Sequence, residues 1–308
     1  NSTLHILGME LAQKNFISGN GLVLSQQSVW NTLDGTKKIF KKYNIKLNEL
    51  KSDFDYKNKI NSFEEYKRDN YINVYALMKL LGANKVDVID ISPYENADII
   101  HDMNKPINKD FHGKYDFIYD SGTLEHIFNI PQALQNISTM LKNNGTLFLS
   151  FPSSNFIDHG FYSLSPTLFF DYFEANGFTD LRGYIKVCSS RIYDRKSLVY
   201  KYTHTGKESF LVTSKAIESI VVAKKTKIFD PNNIKMPIQK LYSLHFEKEK
   251  SQEKIQKNKK PNRSYSIKRF KIMCKNIFLK LIIYLPYQFE KYIFNKSRSK
   301  VIKYIGKY

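Results

Sequence analysis

Short apolar runs that each stop at an acid, glycine or proline, separated by stretches of helical spacing, constrain this chain more than any other feature. Leu22-Val23-Leu24 after Gly19-Asn20-Gly21 reads as a buried strand entered by a turn, and the pattern from about Val29 to Tyr43 predicts a helix. A polar stretch from Asn44 to Asn61 leads to a second expected helix, roughly Phe63 to Leu81, closed by Gly82. Val86 to Ile91, Ala97 to His101, Tyr115 to Tyr119 and Thr146 to Phe151 are further short apolar runs. Between the last two, Asn129 is placed to cap a helix with Pro131 in its first turn and Gln132 three residues after the cap, ending near Lys142. Ser165-Pro166 opens one more helix, which Asn176-Gly177 closes, and strands continue to about Lys225.

Strands that alternate with helices pair in parallel, because each parallel crossover needs a helix to return the chain. The expected fold is therefore α/β: a Rossmann-like, doubly wound, mostly parallel sheet over residues 1–230, followed by a basic, helix-prone C-terminal extension over 231–308. That extension holds one apolar cluster, Ile277 to Tyr287. The formal charge of +19 is concentrated there: Phe246 to Tyr308 carries 18 Lys and Arg against 4 acids. The joint abundance of Lys, Asn, Ile and Tyr also fits an AT-rich genome, which discounts part of the basicity. The two cysteines, Cys188 and Cys274, form no CxxC and have no histidine at ligand spacing, so neither a zinc site nor a disulfide framework is expected. The N-terminal residues lack a basic segment followed by an apolar run, and no stretch of about 18 apolar residues occurs. The expected location is cytoplasmic, with the basic tail able to reach the inner face of an anionic membrane.

In doubly wound folds ligands sit at the carboxyl ends of the strands, so acids just past a strand are the first candidates. Three qualify: Asp90 ends Val-Asp-Val-Ile-Asp, Asp102 follows Ala-Asp-Ile-Ile-His, and Asp120 ends Tyr-Asp-Phe-Ile-Tyr-Asp. A carboxylate after the second strand can accept from two vicinal ribose hydroxyls, and one after the third can reach the exocyclic amine of adenine. Each could equally cap a loop or helix.

Together with the segments downstream of them in the chain, these residues resemble a family. Tyr115-Asp-Phe-Ile-Tyr-Asp-Ser-Gly-Thr-Leu-Glu-His126, a helix, and Gly145-Thr-Leu-Phe-Leu-Ser-Phe-Pro152 look like the fourth strand, helix and fifth strand of class I S-adenosylmethionine (SAM) dependent methyltransferases. Ser121-Gly-Thr-Leu-Glu-His-Ile-Phe-Asn129, with Asn155-Phe-Ile-Asp-His-Gly-Phe-Tyr162 and Ser165-Pro166, is similar to a bacterial branch often encoded among surface-polysaccharide genes. Asp90-Ile-Ser-Pro-Tyr-Glu95 and Ile100-His-Asp-Met-Asn104 have counterparts in it too. The resemblance spans about Gly21 to Asp180. It implies SAM as cofactor, bound by Ser25, Gln26, Asp90, Ile91, Asp102, Asp120, Gly122 and Glu125. One departure stands out. The glycine-rich loop usual after the first strand is here Ser25-Gln26-Gln27-Ser28, so polar side chains take the place of close backbone approach.

For a hydroxyl acceptor a base must remove a proton, and His159, in the loop after the fifth strand, is the leading candidate. His126 is its rival, and Tyr162 and Asp158 remain alternatives. Asp120-Ser-Gly-Thr is not the Pro-Pro-aromatic turn of base-amino methylation, and neither cysteine lies in a nucleophile loop. The expected reaction is O-methylation of a sugar or other small molecule in polysaccharide biosynthesis. An RNA methyltransferase, supported mainly by the basic tail, is the alternative. A third possibility is a non-catalytic, membrane-associated module, since Ile267 to Phe294 mixes basic and apolar residues as interfacial helices do.

Overall fold

The computed structural model describes residues 2–50, 71–93, 96–189, 197–247 and 302–307. In chain order these form α1 (Ser2–Gln13), β1 (Gly19–Leu24), β2 (Ser28–Thr32), α2 (Leu33–Lys41), β3 (Tyr71–Asn73), α3 (Val74–Leu80), β4 (Ala83–Asp90) and β5 (Ile99–Ile100). They continue as β6 (Tyr115–Ser121), a 3-10 turn (Leu124–His126), α4 (Ile130–Met140), β7 (Leu141–Ser154), α5 (Pro166–Ala175), β8 (Phe178–Val187), β9 (Leu198–Tyr202), β10 (Ile217–Lys225) and β11 (Ile302–Lys307). No helix among the described residues is long and apolar enough to cross a membrane.

One sheet of nine strands runs β11-β9-β8-β10-β7-β6-β1-β4-β5, and β2 pairs with β3 apart from it. The segment β5-β4-β1-β6-β7 is parallel throughout. Its order reverses between β1 and β6, which is the switch point where doubly wound sheets bind ligands. The Rossmann-like half is thus as expected. The far half is not parallel: β10 lies antiparallel between β7 and β8, and β9 and β11 add antiparallel neighbours at the edge.

Alternation along the central strands explains the layering, because successive side chains point to opposite faces. Val23, Val88, Phe117 and Phe148 join Leu7, Phe40 and Leu77 in a core beneath α1, α2 and α3. Their neighbours Leu22, Leu24, Ile89, Ile118, Leu147 and Leu149 join Leu134, Ile137, Phe169 and Phe173 beneath α4 and α5.

Several boundaries differ from the sequence expectation. The helix expected from Val29 begins at Leu33: residues 28–32 pair with β3, and the Thr32 hydroxyl accepts from Gly35 N (3.1 Å), starting the helix there. Of the helix expected over Phe63 to Leu81, residues up to 70 lie outside the described ones, as does much of the polar stretch before it. The remainder is a strand and then α3, whose cap is Asn73 accepting from Ala76 N (2.6 Å). Gly82 closes α3 at φ +106°, as expected. Gly19 and Gly21 sit within β1 rather than in a turn, and a Cβ on Gly21 would stand 2.1 Å from the Phe117 ring of β6. The strand expected over Ala97 to His101 is reduced to two residues, because the Asp98 carboxylate accepts from Val88 N (2.8 Å) in place of a backbone carbonyl. Helix α4 is capped as expected, with Asn129 accepting from Gln132 N (3.3 Å), but stops at Met140 because Leu141 already enters β7. Helix α5 begins at Pro166 after its Ser165 cap, as expected.

Position 230 is no break in packing. Asn176 exchanges hydrogen bonds with Lys235 backbone (3.0 and 3.1 Å), and Lys240 N donates to Asp171 (3.1 Å). Residues 302–307, expected as part of a helix-prone tail, form edge strand β11 on β9. The cluster Ile277 to Tyr287, the segment Ile267 to Phe294 and Cys274 lie outside the described residues.

Candidate active site

The loops after β1 and β6 meet over the switch point and are tied together by side chains. Gln27 Nε2 donates to Leu24 O (2.7 Å), Asp120 Oδ1 (3.0 Å) and Thr123 Oγ1 (3.2 Å), and Thr123 Oγ1 donates to Leu24 O (2.8 Å). Asp120 also accepts from Thr123 N (3.1 Å) and Leu124 N (3.4 Å), which starts the 3-10 turn. Asp120, expected among the cofactor contacts, is wholly buried and fully engaged, so it braces the floor of the cleft rather than facing it. Burial, and then the nearby Glu125 charge, push its carboxyl up to about 7. Gln27 and Thr123 were not singled out from the sequence. The signal for Gln27 was the polar run that replaces the glycine-rich loop, and that for Thr123 the Asp120-Ser-Gly-Thr turn after β6.

Ser25 adopts φ +54°, the left-handed conformation a glycine would otherwise supply, and its N donates to Ile89 O (2.8 Å). Beside it, both side-chain polar atoms of Gln26 are buried without a partner. Across the cleft, Asp90 ends β4 half-exposed and accepts from Ser92 N (3.1 Å). Ile91, the residue after the end of β4, is 67% exposed. Asp102 accepts from Asn104 N (3.0 Å) and Nδ2 (2.8 Å), and the Asn104 contact holds its carboxyl below the usual range. Asn104 Oδ1 accepts in turn from Asn129 N (2.8 Å), which fixes the Asp102 loop to the start of α4.

The two signature segments, 121–129 and 155–162, dock on each other. Phe161 N and Tyr162 N both donate to Glu125 O (2.9 and 3.3 Å), and the Tyr162 hydroxyl donates to Phe128 O (2.9 Å). Gly160 permits this: a Cβ there would lie 2.9 Å from Glu125 O and 3.1 Å from its Cγ. Docking carries His159 Nε2 to 3.3 Å from Glu125 Oε1, while His126 Nε2 stands 4.0 Å from the same oxygen. Both rings are about half exposed, whereas the Glu125 side chain is 0% exposed and neither of its oxygens accepts a hydrogen bond. Burial pushes the Glu125 carboxyl up to about 7, and burial and then His159 push His126 down. Gly122, at φ +111°, passes under Glu125, where a Cβ would stand 3.4 Å from Oε1. The rivals His159 and His126 thus share one carboxylate. Their rim is aromatic: Phe128 and Phe161, 69% and 66% exposed, meet edge to face at 5.7 Å.

Residues 73–198 match the family model described as "Methyltransferase domain". These residues form a methyltransferase domain. SAM is the cofactor that the sequence resemblance implies for such a domain. No curated protein matches the chain. Among solved structures it is similar to a SAM-dependent methyltransferase from Thermotoga maritima, at 12% identity over 72% of this chain and 89% of that one, with a TM-score of 0.34. A SAM-dependent methyltransferase from Archaeoglobus fulgidus aligns at 10% identity over 72% and 94% of the two chains, TM-score 0.37. The N-methyltransferase NodS from Bradyrhizobium japonicum aligns at 10% over 72% and 94%, TM-score 0.35.

The cleft of this methyltransferase domain fits the cofactor. An amide donates and accepts at once, so the orphaned Gln26 side chain suits a zwitterionic amino-acid group, and the exposed Ile91 offers an apolar wall next to the carboxylate that ends β4. A separate cavity of about 390 Å³ lies beyond β7, lined by Ser153, Ser165, Thr167, Tyr202, His204 and Ser219 among others. It includes neither the strand-end acids nor His126 and His159. Its lining does include Ser154 and Ser165, the residues on either side of the loop that carries His159.

Proposed function

We propose that this methyltransferase methylates a hydroxyl of a sugar or other small polar acceptor in surface-polysaccharide synthesis. The pairing of His159 with the buried Glu125 beside an exposed aromatic rim carries this reading. Bound at the strand ends, SAM supplies an electrophilic methyl group on a sulfonium. Gln26 and Ser25 hold its amino-acid portion, Asp90 accepts from the ribose hydroxyls, Asp102 takes the adenine amine, and Ile91 and Gly122 border it. Asp120 acts through Gln27 and Thr123 as a positioning residue.

On the acceptor side, His159 takes the hydroxyl proton at Nδ1, the ring nitrogen that does not face Glu125, and Glu125, beside Nε2, stabilises the imidazolium that results. Phe128 and Phe161 present flat apolar faces on which the carbon face of a pyranose can lie. The hydroxyl-lined cavity beyond β7 gives room for the rest of the acceptor. The branch resemblance of residues 121–129 and 155–162 supplies the polysaccharide context.

The test is a screen of nucleotide sugars, phosphorylated sugars, oligosaccharides and RNA, read as S-adenosylhomocysteine (SAH) formation. Turnover with a sugar-bearing acceptor supports the reading. Turnover with RNA alone overturns it.

A further inference from the structure

Cysteine spacing gives no reason to expect a metal. The fold nevertheless assembles a set of metal ligands: Glu125, His126 and His159 each offer one donor atom, all within 4.8 Å of one another. We propose that these residues bind one divalent transition-metal ion of the zinc type, with its remaining position open toward the aromatic rim.

Three observations carry this. The first is chemical: two imidazoles and one carboxylate, leaving an open position, form the donor set of a catalytic zinc site. The second is the state of Glu125. A carboxylate with no exposed surface and no hydrogen bond to either oxygen is costly to bury, and the groups facing it are two histidine nitrogens. Other buried carboxylates of the described residues are satisfied, as Asp120 is by three donors and Glu10 by Arg182 and Tyr184. A cation would satisfy Glu125 in the same way. The third is spacing. Tetrahedral bonds of about 2.1 Å separate ligand atoms by about 3.4 Å. His159 and Glu125 already stand at 3.3 Å, and His126, at 4.0 Å, has a half-exposed ring with room to close the difference.

The ligands come from two segments that the Gly160 docking contact brings together, so the ion would also clamp the 155–162 loop onto the 3-10 turn. Its role in turnover rests on the methyl-transfer reading: an acceptor oxygen on the ion sheds its proton to solvent more readily, and His159 then serves as a ligand. Binding of the ion does not depend on that reading.

The test uses the tag-free full chain, freed of metal with a chelator and titrated with Co²⁺ alone, following visible ligand-field absorption, with SAH affinity measured calorimetrically on the same preparation. The expected result is one equivalent of Co²⁺ in a tetrahedral or five-coordinate spectrum, displaced by Zn²⁺ and weakened at least about 10-fold in each of His126→Ala, His159→Ala and Glu125→Gln. Both histidines are half exposed, so their variants should keep the wild-type melting temperature without metal; that control separates ligand loss from unfolding. Absence of stoichiometric Co²⁺ binding, or equal binding by wild type and the His126→Ala/His159→Ala double variant, overturns the site. SAH binding without Co²⁺ binding would remove the metal site alone. Co²⁺ binding without SAH binding would leave the site standing and sink the methyl-transfer reading.

Discussion

The His159 imidazole stands 3.3 Å from the carboxylate of Glu125, a buried side chain on the far side of α4 and β7 in sequence. Neither residue is near the other along the chain; strand order and loop docking bring them together. Replacing His159 by Ala should lower turnover by about 10² to 10⁴ while SAH affinity stays within a few-fold. A histidine with only a packing role would instead lower the melting temperature and disturb SAH binding together.

Asp90 should show the opposite partition. A carboxylate that accepts from two ribose hydroxyls makes charge-assisted bonds of about 1.5 to 3 kcal/mol each, so Asp90→Ala should weaken SAH binding by roughly 100- to 10,000-fold. Its half-exposed position at the end of β4 means thermal stability without ligand should change little. Unchanged calorimetric affinity would reassign Asp90 to loop capping through Ser92 N.

Gly160→Ala tests the docking contact. The added methyl has 2.9 Å to Glu125 O, so the loop must shift by several tenths of an ångström, and His159 moves with it. Misplacement near 1 Å can cost about 10² in rate, and the expected signature is a large fall in kcat with SAH affinity preserved. Wild-type kcat in this variant would show that the loop adapts without consequence.

Asp120 gives the protein a pH signature. With its carboxyl raised to about 7, the folded state holds a proton that the unfolded chain releases near pH 4. Its contribution to stability is therefore present below about pH 4 and is lost as pH rises through 7, with a limiting slope of roughly 1.4 kcal/mol per pH unit. Asp120→Asn carries no titrating proton, so the gap between wild-type and variant melting temperatures should shrink as pH rises from 4 to 7. A gap that stays constant over that window would show that the donors from Gln27, Thr123 and Leu124 keep Asp120 ionised.

Removing residues 302–308 takes away β11 and bares the edge of β9. An unpaired strand edge templates association, so the truncated protein should melt lower and self-associate in light scattering at concentrations where the full chain does not. SAH affinity should survive, because β9 lies near one edge of the sheet, well away from the switch point in the strand order. Equal light scattering and melting for the two forms would show the edge strand to be dispensable.

Much of the sheet was legible because local chemistry dictated it. The unbroken apolar runs Leu22-Val23-Leu24 and Leu147-Phe148-Leu149 marked strands buried on both faces, and Asn129-Ile-Pro131 and Ser165-Pro166 marked helix starts that need only their own side chains. The acids at Asp90, Asp102 and Asp120 were visible as strand endings for the same reason. What their side chains do was not. Asp90 and Asp120 end equivalent strands, yet one is half exposed and the other sealed by Gln27, a contact between residues 93 apart. The antiparallel placement of β10 and the return of 302–307 to β9 likewise depend on which edge is open once the rest has packed. Sequence spacing ranked His159 and His126 as rivals; only the docking of 155–162 onto Glu125 O, through a glycine with no Cβ to clash, made them neighbours on one carboxylate. Hydrophobic pattern is a local property of the chain, whereas burial and convergence of polar groups exist only when distant segments meet.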